Sequence, residues 1–215
     1  FVGGDFTRTA GTLDANGGTV VFNGTTELAM AGAHFDNVQI GTASSGGRLA
    51  LASTFYVDGT FSVGTAASTS LTANGQVIVF SGDVDLTNID SFSLGTGQDT
   101  YFLGSVHLKA AGRSFYDVFF GSTTVDSALY LDSSLIVSGS LTTIGDPATT
   151  TYLDISNRAL TVGGDWDTRE VDQMIYSGST VNLFSAYTHT VWTGGWHFNN
   201  LVTGNYSADG LQFMD

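Results

Sequence analysis

The chain has 215 residues, of which 28 are glycine, one is proline and none is cysteine. The lack of cysteine excludes disulfides, thiolate-ligated zinc and thiol nucleophiles. Six basic residues stand against 20 acidic ones, and the resulting net charge of −14 argues against binding nucleic-acid phosphates or anionic lipid. No stretch of about 18 apolar residues occurs, so we expect no membrane insertion.

The composition favours strands over helices. Hydrophobic residues make up 42% of the chain and charged residues only 12%, which is enough apolar material for a core. Glycine with Ser, Thr, Val and Phe is typical of short strands joined by tight turns. Apolar residues at helical spacing are everywhere interrupted by glycine or β-branched residues, so we expect almost no α-helix.

Short apolar runs separated by Gly, Asn, Asp or Ser predict strands along the chain. Examples in its first part are, in order, Thr19–Phe22, Glu27–Met30, Phe35–Ile40, Arg48–Ala52, Phe55–Val57, Thr60–Val63, Gln76–Phe80 and Phe92–Leu94. Short strands at this spacing are typical of a sandwich, a barrel or a solenoid.

The sequence also repeats itself. Segments 22–41 and 102–121 share 8 of 20 residues at an offset of 80 without a gap, and segments 49–63 and 129–143 continue that offset. The copies span approximately residues 1–80, 81–160 and 161–215. We expect them to form one continuous domain over residues 1–215.

This repeat favours a solenoid, because each solenoid coil buries its apolar face against the next coil, whereas a sandwich has no reason to repeat its sequence. A propeller blade of about 40 to 50 residues would require two unlike blades per repeat. A coil of three short strands takes about 20 to 27 residues, so we expect three or four coils per 80-residue module and about nine or ten in the chain. Sandwich, barrel and propeller remain the alternatives.

The residues preserved between copies are mostly apolar residues and glycines, which indicates packing and turn geometry rather than catalysis. The residues expected to stack in the core between coils are Phe35, Phe115, Phe198, Val38, Val118 and Leu201. The residues expected in turns are Gly4, Asp5, Gly164 and Asp165. We interpret each of these aspartates as closing its own backbone turn.

Two pairs of alternating aspartates are weak candidates for a calcium site. They are Asp83 with Asp85, and Asp165 with Asp167. Alternate residues of a strand point to the same side, and carboxylate oxygens suit Ca²⁺. Solvated turn aspartates are the preferred interpretation, and no other cofactor is expected.

Enzymatic chemistry finds little support. Enzymes of this architecture that cleave acidic polysaccharides cluster Asp with Lys or Arg to abstract a proton. Here Lys109 and Arg113 are the only basic pair within one predicted coil, and no carboxylates crowd them. The sequence therefore predicts that the chain is not an enzyme, with a polysaccharide-active enzyme as the weakest alternative.

The histidines and tryptophans are interpreted as structural rather than functional residues. We expect solvent-facing strand positions rather than catalytic ones for the histidines, which are His34, His107, His189 and His197. The tryptophans, Trp166, Trp192 and Trp196, are interpreted as interior stacking residues, with a carbohydrate platform as the alternative.

Segments 2–41 and 160–168 resemble repeats of large bacterial surface proteins that follow V-G-G-(N/D)-(F/W)-T, G-T-V-x-F-N-G-T and F-x-N-(V/L)-x-I. The resemblance covers essentially the whole chain and is weakest at residues 81–84, where Ser-Gly-Asp-Val departs from the pattern. It implies a right-handed parallel β-helix like those of autotransporter passengers and filamentous adhesins. It also implies an extracellular or cell-surface location, and no catalytic residue.

These features predict a structural protein that acts by end-to-end stacking or as a stalk, since unpaired strand edges at the ends of a solenoid can pair with another chain. The expected partners are copies of itself or the rest of a longer chain. The alternative is an adhesin module that binds glycan or a host or cell-surface protein through its sides.

Overall fold

The computed structural model describes residues 1–11, 13, 16–30, 32–184, 188–204 and 210–214. The chain is an all-β parallel solenoid of about nine turns, and no helix occurs among these residues. The predicted fold class is thereby confirmed, while the right-handed winding stays a prediction. In the described ranges no helix is long and apolar enough to cross a membrane. The chain divides into two compact units, Phe1–Tyr101 and Phe102–Asp215.

The first unit winds through three sheets, and each turn from residue 19 onward contributes one strand to every sheet. Its strands are β1 (Phe6–Arg8), β2 (Thr19–Phe22), β3 (Thr25–Met30), β4 (His34–Phe35), β5 (Asn37–Ile40), β6 (Arg48–Leu51), β7 (Phe55–Val57), β8 (Phe61–Val63), β9 (Ser70–Thr72), β10 (Ile78–Phe80), β11 (Val84–Asp85), β12 (Ser91–Ser93) and β13 (Asp99–Phe102). The sheet orders are β1-β3-β6-β9-β12, β2-β5-β8-β11 and β4-β7-β10-β13. Apart from β1 and β3, neighbouring strands are three strands apart in the chain, which is the signature of a three-sided coil.

The second unit has the same plan. Its strands are β14 (Ser105–Lys109), β15 (Ser114–Phe115), β16 (Asp117–Gly121), β17 (Ser127–Leu131), β18 (Leu135–Val137), β19 (Leu141–Ile144), β20 (Thr151–Asp154), β21 (Ala159–Val162), β22 (Trp166–Asp167), β23 (Gln173–Ile175), β24 (Thr180–Leu183), β25 (His189–Trp192), β26 (Asn200–Thr203) and β27 (Leu211–Phe213). The sheet orders are β14-β17-β20-β23, β15-β18-β21-β24-β26 and β16-β19-β22-β25-β27.

Paired residues on adjacent turns are about one predicted coil length apart. Leu28 pairs with Leu51, 23 residues further along, and Val137 pairs with Val162, 25 residues further along. Burial alternates along β14, where Val106 lies inside between exposed neighbours. Because side chains of a strand alternate between its two faces, stacked strands in register bury their apolar residues in one continuous interior.

The 80-residue module is not confirmed as a structural unit. The offset of 80 carries β3 to β14, which is eleven strands later in the chain. Each turn uses three strands, so eleven strands are not a whole number of turns. Residues related by the offset of 80 therefore form corresponding strands and turns, but one repeat does not equal a whole number of coils. The division between residues 101 and 102 also differs from the copy boundaries.

A column of phenylalanine rings fills the interior of the first unit. The ring centroids of Phe22 and Phe35 are 6.0 Å apart, those of Phe35 and Phe55 are 5.7 Å apart, and Phe61 lies 6.3 Å from Phe55 and 5.3 Å from Phe80. All four contacts are edge-to-face, a favoured arrangement of aromatic pairs. These rings tie successive turns together through the core.

The residues predicted to stack in the core have different surroundings. The buried ones are Phe35, Val38, Phe115 and Val118. Phe198 is half-buried, and Leu201 on β26 is exposed. Phe115 contacts Phe102, which ends β13 and is the first residue of the second unit, whereas Phe198, two residues before β26, contacts Trp166. Since β15 and β26 are at opposite ends of their sheet, Phe115 and Phe198 belong to separate contacts rather than to one column.

Candidate functional site

The predicted turn aspartates lie just before strands, but their carboxylates join adjacent turns of the solenoid. Asp5 Oδ1 accepts a hydrogen bond from the Glu27 backbone N–H at 2.9 Å. Asp165 Oδ1 accepts one from the Thr190 N–H at 2.7 Å. These partners are 22 and 25 residues further along the chain. The interpretation that each aspartate closes its own turn is therefore corrected, since the bond satisfies a donor of the next turn.

The two predicted turn glycines differ in their surroundings. A Cβ at Gly164 would lie 2.6 Å from the carbonyl carbon of Gly139 on the preceding turn. A Cβ at Gly4 would meet no atom of the described residues within 4 Å. Glycine at position 164 is thus explained by the close approach of two backbones.

Two of the four calcium candidates are engaged locally. Asp85 Oδ1 accepts a hydrogen bond from the Thr87 N–H at 2.8 Å, which closes a turn two residues on. Asp167 forms an ion pair with Arg169, whose Nη2 lies 2.6 Å from Oδ2. Asp83 is exposed, and Asp165 serves the next turn as described above. Within the described part of the chain, no group of three His, Cys, Asp or Glu side chains could hold a metal ion.

Two of the four histidines form exposed clusters with a tyrosine and an aspartate. In the first unit, His34 stacks on Tyr56 of the next turn with ring centroids 4.3 Å apart and an interplanar angle of 10°. Its Nδ1 lies 3.0 Å from Asp58 Oδ1. The ring and the carboxylate thus hold the imidazole at the surface, as a solvent-facing strand position predicts.

The second unit repeats this cluster with other residues. His107 stacks on Tyr130 at 4.5 Å and 12°, and its Nδ1 lies 3.3 Å from Asp132 Oδ1. The ring of Tyr152, one turn further, lies 5.2 Å from that of Tyr130. We call His107, Tyr130 and Tyr152 the tyrosine strip. The offset of 80 does not relate the two clusters, so sequence comparison alone does not find them.

The remaining two histidines differ in their exposure to solvent. His197 is exposed, as predicted. His189 is buried on β25, and its Nδ1 donates a hydrogen bond to the carbonyl oxygen of Gly164. The expectation that His189 faces solvent is therefore wrong, because its strand position points into the core between turns.

The tyrosine strip borders a groove of about 330 Å³. Burial raises the pKa of the Tyr152 phenol, and the charge of Asp154 and the neighbouring Tyr130 raise it further. The groove is lined by Ser105, Asp126, Ser127, Ala128, Tyr130, Thr150 and Tyr152. It therefore combines aromatic faces, hydroxyl groups and a carboxylate on one outer sheet face.

Apolar side chains are uncovered at the last turn of the second unit. Leu201 pairs with the buried Val181, and Phe213 pairs with the buried Val191, so both occupy inward-facing strand positions. They are nevertheless 36% and 53% exposed. Two grooves, of about 590 and 550 Å³, flank Phe213. We call Leu201, Phe213 and these two grooves the terminal face.

The tryptophans are distributed between the interior and the terminal face. Trp166 is buried and donates from Nε1 to Thr168 Oγ1 at 2.9 Å. Trp192 lines the larger groove, with the Arg169 guanidinium 4.7 Å above its ring. Trp196 lines the smaller groove and donates from Nε1 to the Val171 carbonyl. Trp166 is therefore an interior stacking residue, as predicted, whereas Trp192 and Trp196 line the grooves of the terminal face.

No family model, curated protein or solved structure matches the chain. What the fold defines is a class, the parallel β-solenoid repeat proteins. The finer assignment to the repeats of autotransporter passengers or filamentous adhesins rests on the sequence resemblance and forms part of the proposal below.

Proposed function

We propose that this protein is an extracellular structural repeat protein whose solenoid is continued beyond the terminal face, by end-to-end stacking with further copies of itself or as part of a longer chain, in a filament or a cell-surface stalk. The supporting observation is the terminal face, where inward-facing Leu201 and Phe213 are exposed. Large apolar residues at core positions favour burial under another layer. The extracellular location draws on the resemblance to bacterial surface repeats.

The backbone geometry of the last turn supports the same role. Strands β26 and β27 are the outermost strands of their sheets in the second unit. Such an edge presents a row of N–H and C=O groups that can continue a parallel sheet with another chain. A second copy stacked about 4.8 Å beyond these strands would complete the ladder and cover both side chains. Affinity would then come from edge hydrogen bonds together with apolar burial.

Electron microscopy and sedimentation velocity of the 215-residue chain test the proposal. We expect concentration-dependent filaments whose layer line falls near the strand spacing of about 4.8 Å. The double variant Leu201→Asp/Phe213→Asp should abolish them, because two carboxylates would be buried at the contact. Matched controls are Val125→Asp and Ile136→Asp, whose side chains are 53% and 38% exposed away from the terminal face. Isolated short particles at every concentration would contradict stacking of copies and favour a segment of a longer chain. Filaments that survive the double variant would contradict a role for the terminal face.

A second function is favoured by a different observation. The tyrosine strip and its groove place aromatic rings beside carboxylates on an outer sheet face. Tyrosine enrichment of this kind is typical of recognition surfaces, where a rigid ring is presented at small entropic cost. The alternative proposal is therefore an adhesin module that binds its ligand through this side. Both proposed roles are non-catalytic.

A further inference from the structure

The tyrosine strip is built by the register of three adjacent turns. His107 on β14 pairs with Tyr130 on β17, and Tyr130 pairs with Asp154 on β20. Tyr152 on β20 pairs with Ala128 on β17, one position to the side. The rings therefore run diagonally across the sheet, with centroid distances of 4.5 and 5.2 Å. All three point outward, since their strand neighbours are the buried residues.

Small residues make room for a ligand beside these rings. Ala128 is the next outward-facing residue of β17 before Tyr130, and it pairs with Ser105, so no large side chain lies beside Tyr130 on its own strand or on β14 at that position. Asp126 stands at the rim of this space, and its Oδ1 accepts a hydrogen bond from the Thr150 N–H at 2.8 Å. That bond fixes the carboxylate at the edge of the groove. The result is a slot with an aromatic wall and an acidic rim.

The charges around the groove select the type of ligand. Asp126 is the charged residue of its lining, and Asp154 lies beside Tyr130 by register. At the other end of the strip the imidazole of His107 is paired with Asp132. A protonated amine is attracted both by carboxylates and by the face of a tyrosine ring. A ligand carrying carboxylates would be repelled here and by the net charge of −14.

We propose that this groove binds an extended glycan built of amino sugars with free amines. The rings of His107 and Tyr152 already lie on either side of Tyr130, so the apolar face of a pyranose ring stacks on Tyr152. The protonated amine is directed to Asp126 or Asp154. Successive turns of a parallel solenoid repeat at about 4.8 Å, which is close to the length of one sugar unit in an extended β-linked chain. This inference deepens the second proposed function, names its ligand class, and does not depend on end-to-end stacking.

A pair of matched ligands provides the first test. Isothermal titration calorimetry compares a glucosamine hexamer with an N-acetylglucosamine hexamer, which has the same rings but no charge. We expect the free-amine oligomer to bind at least tenfold more tightly and to lose affinity as salt is raised. Equal affinity for the two oligomers, or binding of neither, would overturn the proposal. Equally tight binding of a lysine hexamer would also overturn it, by showing charge attraction without sugar recognition.

Variants of the groove provide the second test. Tyr152→Ala should weaken binding of the glucosamine hexamer at least tenfold. Asp126→Asn keeps an oxygen for the Thr150 N–H, and it should reduce the preference over the N-acetylated oligomer severalfold. The control Tyr56→Ala removes a half-buried tyrosine that also stacks on a histidine but belongs to the first unit. If Tyr56→Ala weakens binding as much as Tyr152→Ala does, the groove is not the site.

The terminal-face variant separates this inference from end-to-end stacking. Leu201→Asp/Phe213→Asp leaves every lining residue of the groove unchanged. We expect it to bind the glucosamine hexamer with wild-type affinity even where it no longer stacks. Loss of binding in this variant would show that the ligand requires the stacked assembly and would overturn a site confined to one sheet face.

Discussion

The carboxylate of Asp117 accepts a hydrogen bond from the backbone N–H of Ser140, 23 residues further along the chain, at 2.7 Å. Gly139 makes this contact possible, because a Cβ at that position would overlap Asp117 Oδ1. A side chain at the end of one turn therefore satisfies a backbone donor at the corner of the next turn.

The first unit contains the same arrangement at the equivalent sequence positions. Asn37 Oδ1 accepts from the Thr60 N–H at 2.9 Å, and a Cβ at Gly59 would lie 2.6 Å from that oxygen. The pairing of residues 37 and 59 thus returns as 117 and 139. Glycine is therefore preserved at positions 59 and 139 because a Cβ there would overlap the side-chain oxygen of residue 37 or 117.

The Asp117 contact yields a stability prediction. Asp117→Ala removes the acceptor and leaves the Ser140 N–H at the corner without its bond, which should lower the free energy of unfolding by about 1 to 2 kcal/mol. Asp117→Asn should retain most of the stability, because position 37 makes the same contact with an amide oxygen. Urea denaturation followed by circular dichroism measures both variants. Equal losses for Ala and Asn would show that charge rather than the hydrogen bond matters.

The glycines at positions 4 and 164 should respond oppositely to one added methyl group. Gly164→Ala forces apart two backbones that approach too closely for a Cβ, and it should cost about 1 to 3 kcal/mol. Gly4→Ala meets no described atom within 4 Å and should change stability by less than about 0.5 kcal/mol. Thermal unfolding of the two variants makes the comparison. A larger loss at position 4 would refute the role assigned to close approach.

Gln98 is a buried polar residue whose replacement should stabilise the protein. Its side chain is 1% exposed, and neither Nε2 nor Oε1 has a hydrogen-bond partner among the described residues. Burying an unsatisfied amide is unfavourable, so Gln98→Leu should raise the free energy of unfolding by about 1 kcal/mol. Gln39 provides the control, since its Nε2 donates to the Gly41 carbonyl at 2.7 Å and Gln39→Leu should destabilise. Chemical denaturation of both variants should give changes of opposite sign.

The Tyr152 phenol should titrate at higher pH than an ordinary tyrosine. Burial raises its pKa most, followed by the charge of Asp154. Because the folded-state pKa is raised, the contribution of Tyr152 to stability is present below the usual tyrosine pKa and is lost as pH rises through the folded pKa. Asp154→Asn should move this titration to lower pH, as followed by the Cζ chemical shift of labelled tyrosine. An unchanged titration would show that Asp154 does not act on the phenol.

The sequence predicted strands well where an apolar run was long enough to be recognised. Runs such as Thr19–Phe22 and Phe55–Val57 coincide with β2 and β7. Two strands have no such run: β9, whose residues Ser70–Thr72 contain a single apolar side chain, and the two-residue β11. The hydrogen bonds of such short strands come from the neighbouring turns. The local sequence therefore carries little signal for them.

The sequence by itself determined the class of fold: alternating apolar residues, turn glycines and an internal repeat favoured an all-β solenoid with coils of about 20 to 27 residues over a sandwich, barrel or propeller. Only the tertiary structure decided which residues meet. Corresponding positions such as Phe115 and Phe198 lie on different turns and therefore acquire different neighbours. The tyrosine strip and the bond from Ser140 to Asp117 likewise join residues of adjacent turns. Contacts of this kind depend on the exact length of each turn, which the apolar pattern of a single strand does not encode.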